Sequence, residues 1–529
     1  MTLCNIIKRI TQYTETIRRL KPSQIYYRLR KYFGLNCTIG CEVGEFTEDV
    51  YPIETIPSLD FDSTFLSRFF VEDLMEDRFT FLHTGCQVNT NEPWDQDGQS
   101  ALWNFNLHYF EYLFPLWNAY QTSGERSYLD KAFELISRWI QHNPRKCGGA
   151  GWEVYTVDLR LINWLNFYSY AHYLFPEKLC EMFIKSIYEQ YVFLSEHIEK
   201  DILGNHYFED LKSLVFCAIF FRDDRMLNKA VFELQKECRE EILADGVHFE
   251  RSMMYHNLIL EGLLRVNVAL RRSGHADTEL EVWIQPMLDA AWSLEGSIDR
   301  LPLFNDAGNN VAKGIEALLL AAEENFSLKP IYRSQFPEAG YYLYHRGRWK
   351  LIIDAGDPGP SYIPGHTHCD ALSFELFRDG KPVIVNCGTY AYQSQYRDFF
   401  RSTAAHNTTC VNGVEQSQFW GVFRLAKRSS VQVISANDKQ LSAVLTDQAG
   451  QTVTRSFDFG DDLIITDQTE NGTVTSYCHP LDKDNISFAC ESLRECEHMY
   501  APEYGKYSII KTVEYTGVGM VSLHIPLEK

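Results

Sequence analysis

The feature that most constrains the fold is a change of hydrophobic period near Pro337. Upstream of it, apolar residues recur at three- and four-residue spacing over 105–120, 127–142, 156–174, 178–199, 207–221, 225–243, 254–272, 277–297 and 311–324. That spacing predicts helices with one buried face. The breaks between them, such as Asn143-Pro144 and Ser273-Gly274, are short, so successive helices must return antiparallel. An array of this kind closes into a toroid or opens into a solenoid, and no sequence period decides between the two. Downstream, Tyr341–Tyr344, Trp349–Asp354, Lys381–Val385, Ser430–Ile434, Leu441–Leu445, Leu463–Thr466 and Gly517–Ile525 are short β-type runs separated by turn residues. They predict an antiparallel β-sandwich. The expected class is multidomain α+β: residues 1–100 an arm and lead-in, 101–335 the helical domain, 336–529 the β-sandwich.

With 529 residues the chain is too long for one ordinary core. A formal charge of −21 argues against a general nucleic-acid binder, which needs a broad basic surface. An anionic ligand held by local Arg and His remains compatible with it, because salt screens the distant acidic surface. The aromatic content, 14%, suits sugar stacking, although cores absorb most such residues. Fourteen cysteines are scattered without C-x-x-C pairs, which reads as reduced thiols. The first residues lack the uninterrupted apolar stretch of a secretion signal, and no later run is long enough to span a bilayer. The expected location is therefore the cytoplasm, with a periplasmic one only if a signal precedes this start. Residues 1 to about 35 carry Lys8, Arg9, Arg18, Arg19, Lys21, Arg28, Arg30 and Lys31 against Glu15, with apolar residues at roughly helical spacing. Such a segment either packs on the main domain as a solvated arm or rests on an anionic membrane surface.

Polar clusters interrupt both halves. In Gly365-His-Thr-His-Cys-Asp370 an extended backbone would put His366, His368 and Asp370 on one face, suited to a metal or to proton transfer. His406 leads into another β-type run that would sit beside His368, and imidazoles from two strands with a nearby carboxylate suit Zn²⁺. In the helical half, Arg160 and Asn163 lie three apart beside Trp164, a face able to hold a carboxylate and stack a ring. Asn205, His206 and Glu209 stand at a helix start, where Asn205 also suits an ordinary cap and His206 and Glu209 are spaced to hydrogen-bond. Tyr255 is flanked by Arg251 and His256, cations that would stabilise a tyrosinate.

These stretches, with Trp103-Asn-Phe-Asn-Leu-His-Tyr-Phe110, Trp152-Glu153, Phe249-Glu-Arg-Ser252 and Ala405-His-Asn407, together resemble the heparinase II/III-like polysaccharide lyases, which include alginate and glycosaminoglycan lyases. The resemblance spans about residues 95–425 and is specific in its ordered combination. It implies an α/α toroid followed by an antiparallel β-sandwich, and β-elimination at a 1,4-linked uronate of an acidic polysaccharide. By resemblance, Asn205 and His206 neutralise the uronate carboxylate with help from Arg160, Tyr255 transfers the proton, and His366 acts as base or activator. Either Tyr255 serves as both base and acid on one face, or His206 or His366 takes the base role on the other, depending on substrate stereochemistry. Metal-containing relatives hold zinc with two histidines and an aspartate; His368 and His406 match the histidines, but Asn386 stands at the aspartate position and brings no charge. The neighbouring Cys387 should face the other way on a strand.

Three other readings share the scaffold. A glycoside hydrolase would use two of Glu153, Asp158, Glu250 and Asp306. A uronate epimerase would return the proton. A non-catalytic glycan-binding or assembly protein would keep the cleft without turnover. The polymer, endo or exo action and the oligomeric state are not encoded in any motif of the chain.

Overall fold

A computed structural model describes residues 3–481 and 486–527. Two helices, α1 (Leu3–Ile17) and α2 (Pro22–Tyr32), form the arm. Residues 36–100 hold three one-turn helices and the hairpin Arg78–Phe81/Thr84–Gln87. The helical domain follows with α3 (Ala101–Tyr109), α4 (Leu113–Ser123), α5 (Arg126–His142), α6 (Val154–Ala171), α7 (Glu177–His197), α8 (Asn205–Phe220), α9 (Asp224–Glu241), α10 (Met253–Arg272), α11 (Ile284–Glu295) and α12 (Ile315–Phe326). The periodic stretch 105–120 is two helices rather than one, because Phe110 turns left-handed (φ 66°) between α3 and α4. No helix among the described residues is long and apolar enough to cross a membrane.

The helices pack as antiparallel neighbours, and residues of α3, α6, α8 and α10 all face one central cavity, which makes the array a toroid. Around that cavity the packing between elements is apolar and aromatic: Trp94, Trp103, Trp139 and Trp164 are fully buried. The same core continues into the first β-sheet through Tyr341, Leu343, Ile352 and Phe377, so the two domains share one apolar interior.

That sheet has five antiparallel strands: Gln335–Phe336, then β1 (Tyr341–Arg346), β2 (Trp349–Asp354), β3 (Phe374–Arg378) and β4 (Lys381–Ile384). The second sheet has eight strands, led by β5 (Thr409–Val411), β6 (Ser430–Ala436), β7 (Gln440–Thr446), β8 (Thr452–Phe459), β9 (Asp462–Cys478), β10 (Ser492–Glu503) and β11 (Lys506–Pro526). Strands β7 and β8 alternate buried and less buried residues, the period-2 signature of one core-facing side. Leu441, Phe457, Ile465 and Leu523 of this sheet meet Leu351, Ile353 and Phe374 of the first in a common core, so the C-terminal half is a β-sandwich.

The arm is fixed to both domains. Trp420 Nε1 donates to Thr16 Oγ1 at 3.1 Å, and the buried Gln24 donates to the Ile202 carbonyl at 3.0 Å. Its outer side leaves Ile10, Ile17, Ile25, Leu29, Tyr32 and Phe33 exposed.

Candidate active site

A cavity of about 1100 Å³ lies between the open end of the toroid and the β-sandwich, with Thr16, Leu20, Gln24 and Arg28 of the arm at its rim. Its helical wall begins at Gly204, which adopts φ 65° before α8. A Cβ there would stand 2.8 Å from Ile363 Cδ1 and 2.9 Å from Glu250 Oε1. Glycine is therefore what lets Asn205 and His206 enter the cavity at the first turn of α8. Asn205 Nδ2 donates to both Glu250 oxygens at 3.1 Å, which fixes the amide. His206 Nδ1 is 2.7 Å from Glu199 Oε2, and a third of its side chain is exposed to the cavity. Burial would lower its pKa, but the Glu199 carboxylate outweighs that and holds it above the ordinary histidine value. Burial likewise opposes ionisation of Glu199, yet His206 holds its carboxyl below the usual range, so the two form an ion pair. Glu209 also lines the cavity, ion-paired to Lys212 one turn along and not to His206. Asn163 lines it too and donates to the Tyr109 carbonyl at 2.8 Å.

The opposite wall is built on one carboxylate. Asp306, fully buried, accepts from His366 Nδ1 at 3.0 Å, His368 Nε2 at 2.9 Å, Thr389 Oγ1 at 3.2 Å and both terminal nitrogens of Arg397. Burial would raise its pKa, but Arg397 and the two imidazoles hold it well below the usual carboxylate range. An anionic oxygen at Nδ1 fixes the His366 proton there and leaves the Nε2 lone pair free. His366 lines the cavity, and its ring lies 4.0 Å from that of Tyr255. Tyr255 follows the Ser252 cap of α10, and its hydroxyl is 2.6 Å from Tyr392 Oη, which accepts in turn from Tyr504 at 2.7 Å. Burial, then the neighbouring Tyr392, Tyr504 and Asp306, push Tyr255 well above the ordinary tyrosine pKa. It stands in the cavity as a neutral phenol.

Several sequence expectations are corrected here. The 365–373 stretch is a loop, not a strand; His366 and His368 converge because both bind Asp306, while Asp370 turns to the Asn305 N–H at 2.6 Å. Arg160 lies outside the cavity, fully buried, donating Nε to Gln190 at 2.8 Å and covering the Trp139 ring at 4.0 Å. Trp164 is buried with it, 5.4 Å from Trp139. Residues three apart on a helix differ by about 60° around the axis, enough to send Asn163 to the cavity and Arg160 into the packing between helices. Arg251 clamps the domains by donating to the carbonyls of Asp357 and Glu338. His256 is buried against the Met287 carbonyl at 2.9 Å, and burial lowers its pKa to about 3. Neither offsets the burial that favours the neutral phenol of Tyr255 over the tyrosinate.

Of the implied zinc ligands, the two histidines come together, and asparagine replaces the charged third ligand. His368 Nδ1 and His406 Nε2 stand 3.2 Å apart, but Asn386 Oδ1 accepts the Asn407 N–H at 3.0 Å and brings no charge to the pair. The pair therefore lacks the anionic third ligand that an aspartate would supply. Of the four carboxylates a hydrolase would draw on, only Glu153 lines the cavity. Asp158 is sealed beside Asp210, and burial raises both carboxyls well above their ordinary value.

The N-terminal model of the heparinase II/III family matches residues 26–329, and the heparinase II/III-like C-terminal model matches 329–487. The chain belongs to the heparinase II/III family. Among curated relatives, a heparin-sulfate lyase of Bacteroides thetaiotaomicron is 22% identical over 404 residues, covering 65% of this chain and 57% of the relative. A heparin-sulfate lyase of Pedobacter heparinus is 22% identical over 369 residues, covering 62% and 54%. The chain thus spans less than two thirds of the length of the curated relatives it matches. A crystal structure of heparinase III superposes with a TM-score of 0.68 at 16% identity, over 94% of this chain and 89% of that one. A heparan sulfate lyase mutant from Pedobacter heparinus gives 0.59 at 16%, over 96% and 88%. These likenesses establish the toroid-plus-sandwich fold of this heparinase II/III family member.

Proposed function

We propose that the protein is a polysaccharide lyase that cleaves a 1,4-linked uronate in an acidic polysaccharide of the glycosaminoglycan class by β-elimination. The observation that carries the reading is the contact of a neutral phenol, Tyr255, with an imidazole whose proton is fixed away from the cavity, His366 on Asp306. An acid and a base thus meet on one side of the cavity, while the cationic His206 and the Asn205 amide stand ready for the substrate carboxylate.

In this mechanism the His206 imidazolium and Asn205 bind the uronate carboxylate, so charge that develops on it is met by donors already in place. His366 Nε2 takes the C5 proton. The C5–H electron pair becomes the C4=C5 bond, the C4–O4 bond breaks, and Tyr255 gives its proton to the departing oxygen. Tyr392 and Tyr504 then form a hydroxyl chain able to return a proton to Tyr255. A base and an acid on one face favour syn elimination, the geometry of glucuronate, whose H5 and O4 share a face. The test is ultraviolet absorbance of the unsaturated product on a panel of uronate polymers: heparosan, heparan and chondroitin sulfates, hyaluronan and alginate. Absorbance that rises on a glucuronate polymer and is abolished in Tyr255→Phe is expected; no rise on any polymer, with saturable binding to one, favours the glycan-binding reading instead.

We also infer that the arm rests on an anionic membrane surface. The support is its exposed Ile10, Ile17, Ile25, Leu29 and Phe33 among Arg9, Arg18, Arg19, Arg30 and Lys31, in a chain whose overall charge is −21. Each basic side chain near such a surface contributes about 1 kcal/mol. The protein should sediment with phosphatidylglycerol vesicles and not with phosphatidylcholine ones, and Ile10→Asp with Leu29→Asp should abolish this; no sedimentation with either lipid refutes it.

A further inference from the structure

Behind the catalytic wall, three potential metal ligands that share no residue with it converge. Cys387 follows Asn386 at the end of β4, and as neighbours on an extended backbone the two face opposite ways. Asn386 turns to Asn407, and Cys387, fully buried, turns to His479 and His498. Its backbone is pinned on both sides: its N–H donates to the Ala405 carbonyl at 3.0 Å, and its carbonyl accepts from Ala501 at 2.7 Å. The Cys387 Sγ and a nitrogen of each histidine all lie within 4.8 Å of one another.

His479 is the informative member. Its Nδ1 is 3.0 Å from Asn407 Oδ1, and its Nε2 is 2.9 Å from the Ala404 carbonyl. The Asn407 amide is held oxygen-inward, because that oxygen also accepts the His479 backbone N–H at 2.8 Å while Nδ2 donates to Phe374 O at 2.9 Å. A fully buried imidazole without a carboxylate partner carries one proton, so with acceptor oxygens at both nitrogens one lone pair must face another. With the proton on Nδ1, toward Asn407, the Nε2 lone pair is left pointing at the Ala404 oxygen and at His498 Nδ1, 3.2 Å away. That point is filled by the His498 Nδ1–H or, when the His498 proton sits on Nε2 instead, by a cation. Two nitrogens bound to one tetrahedral zinc at 2.0–2.1 Å stand about 3.3 Å apart, close to the separation observed.

We propose that Cys387, His479 and His498, with the Ala404 carbonyl as fourth donor, bind one Zn²⁺ as a structural ion. Binding replaces the Cys387 S–H bond with a sulfur–zinc bond and releases that proton to solvent. The ion ties the end of β4 and the 404–407 loop to β10, the strand that leads into Tyr504 of the hydroxyl chain. Cobalt is the spectroscopic probe. The full-length protein, stripped with chelator and titrated with Co²⁺, should take up one ion per chain, develop a near-ultraviolet sulfur-to-cobalt charge-transfer band with visible tetrahedral bands, and lose both on addition of Zn²⁺. The sulfur band separates this site from the His368/His406 pair, which has no thiol. Cys387→Ser should remove the band, and His498→Gln, which alters the least buried ligand, should weaken Co²⁺ binding at least tenfold. Absence of a sulfur band at equimolar Co²⁺, or its persistence in Cys387→Ser, overturns the proposal. If Cys387→Ser does not fold, undiminished binding in His498→Gln overturns it as well.

Discussion

Replacing Asp306 with asparagine probes the catalytic wall most sharply, because it keeps the shape and removes one charge. The carboxylate accepts five hydrogen bonds, from His366, His368, Thr389 and twice from Arg397. An amide offers one acceptor oxygen and an NH₂ group. If the oxygen stays with Arg397, the NH₂ faces an imidazole and must donate to it, which moves the His366 proton to Nε2 and removes the base. The same wrong-tautomer substitution behind a catalytic histidine costs about 10⁴ in kcat in serine proteases, which is about 5.5 kcal/mol of barrier. The expected result here is a fall in kcat of about 10³–10⁴, with KM changed little because Asp306 does not line the cavity. Breaking one side of a buried ion pair also destabilises by about 3–5 kcal/mol, so the melting temperature should drop while the far-ultraviolet circular dichroism is retained. The assay is the initial rate of unsaturated-product absorbance under saturating polymer. A folded Asp306→Asn enzyme with kcat within threefold of the parent refutes the orientation of His366 by Asp306.

Other substitutions test the remaining parts. His206 is held above its ordinary pKa by Glu199, so its binding role is present below that raised value and is lost as pH rises through it; Glu199→Gln should shift the alkaline rise of KM to lower pH, and an unshifted profile contradicts the ion pair. The pair's contribution to stability has two edges. It fades as pH rises through the raised His206 value and as pH falls through the lowered Glu199 value, so the difference in melting temperature between parent and Glu199→Gln should be largest between about pH 4.5 and 6.5. Gly204→Ala forces a side chain into a left-handed backbone against Ile363 and Glu250, and should cost about 1–3 kcal/mol and raise KM, measured by melting and steady-state kinetics. Arg160→Met should lower the melting temperature with kcat and KM of the folded enzyme unchanged; a large KM effect would return Arg160 to the binding site.

The change from helices to strands was legible because it rests on hydrophobic period, a local property that burial enforces along the whole chain. Asn205, His206, Tyr255 and His366 stood out as members of polar clusters whose roles came from the family resemblance, and the cavity gathers all four. Arg160 and Trp164 were misjudged because an aromatic-rich interior shelters a guanidinium by stacking, and a cation at helical spacing does not reveal which neighbour it covers. Asp306 was visible only as one of four carboxylates suited to hydrolysis, and Arg397, Tyr392 and Tyr504 carried no local signal. Their roles arise from tertiary approach: Asp306 precedes α12, Arg397 lies between β4 and β5, and Tyr504 joins β10 to β11. Glu250 was visible only as another of those four carboxylates, and Glu199 was hidden, since an acid near a helix start reads as solvated until the imidazole or amide it holds is in view.

The central claim is that the 4-O bond is broken by elimination, and the fate of water tests it most directly. A glucuronate polymer digested in water enriched in the heavy oxygen isotope, with products weighed by mass spectrometry at early times, distinguishes the chemistries. Elimination takes no oxygen from solvent, so fragments with an unsaturated end, lighter by one water and free of label when corrected for slow exchange at the reducing end, are the expected result. Saturated fragments with one heavy oxygen at each new cleavage would mean hydrolysis, and would contradict the roles assigned to Tyr255 and His366.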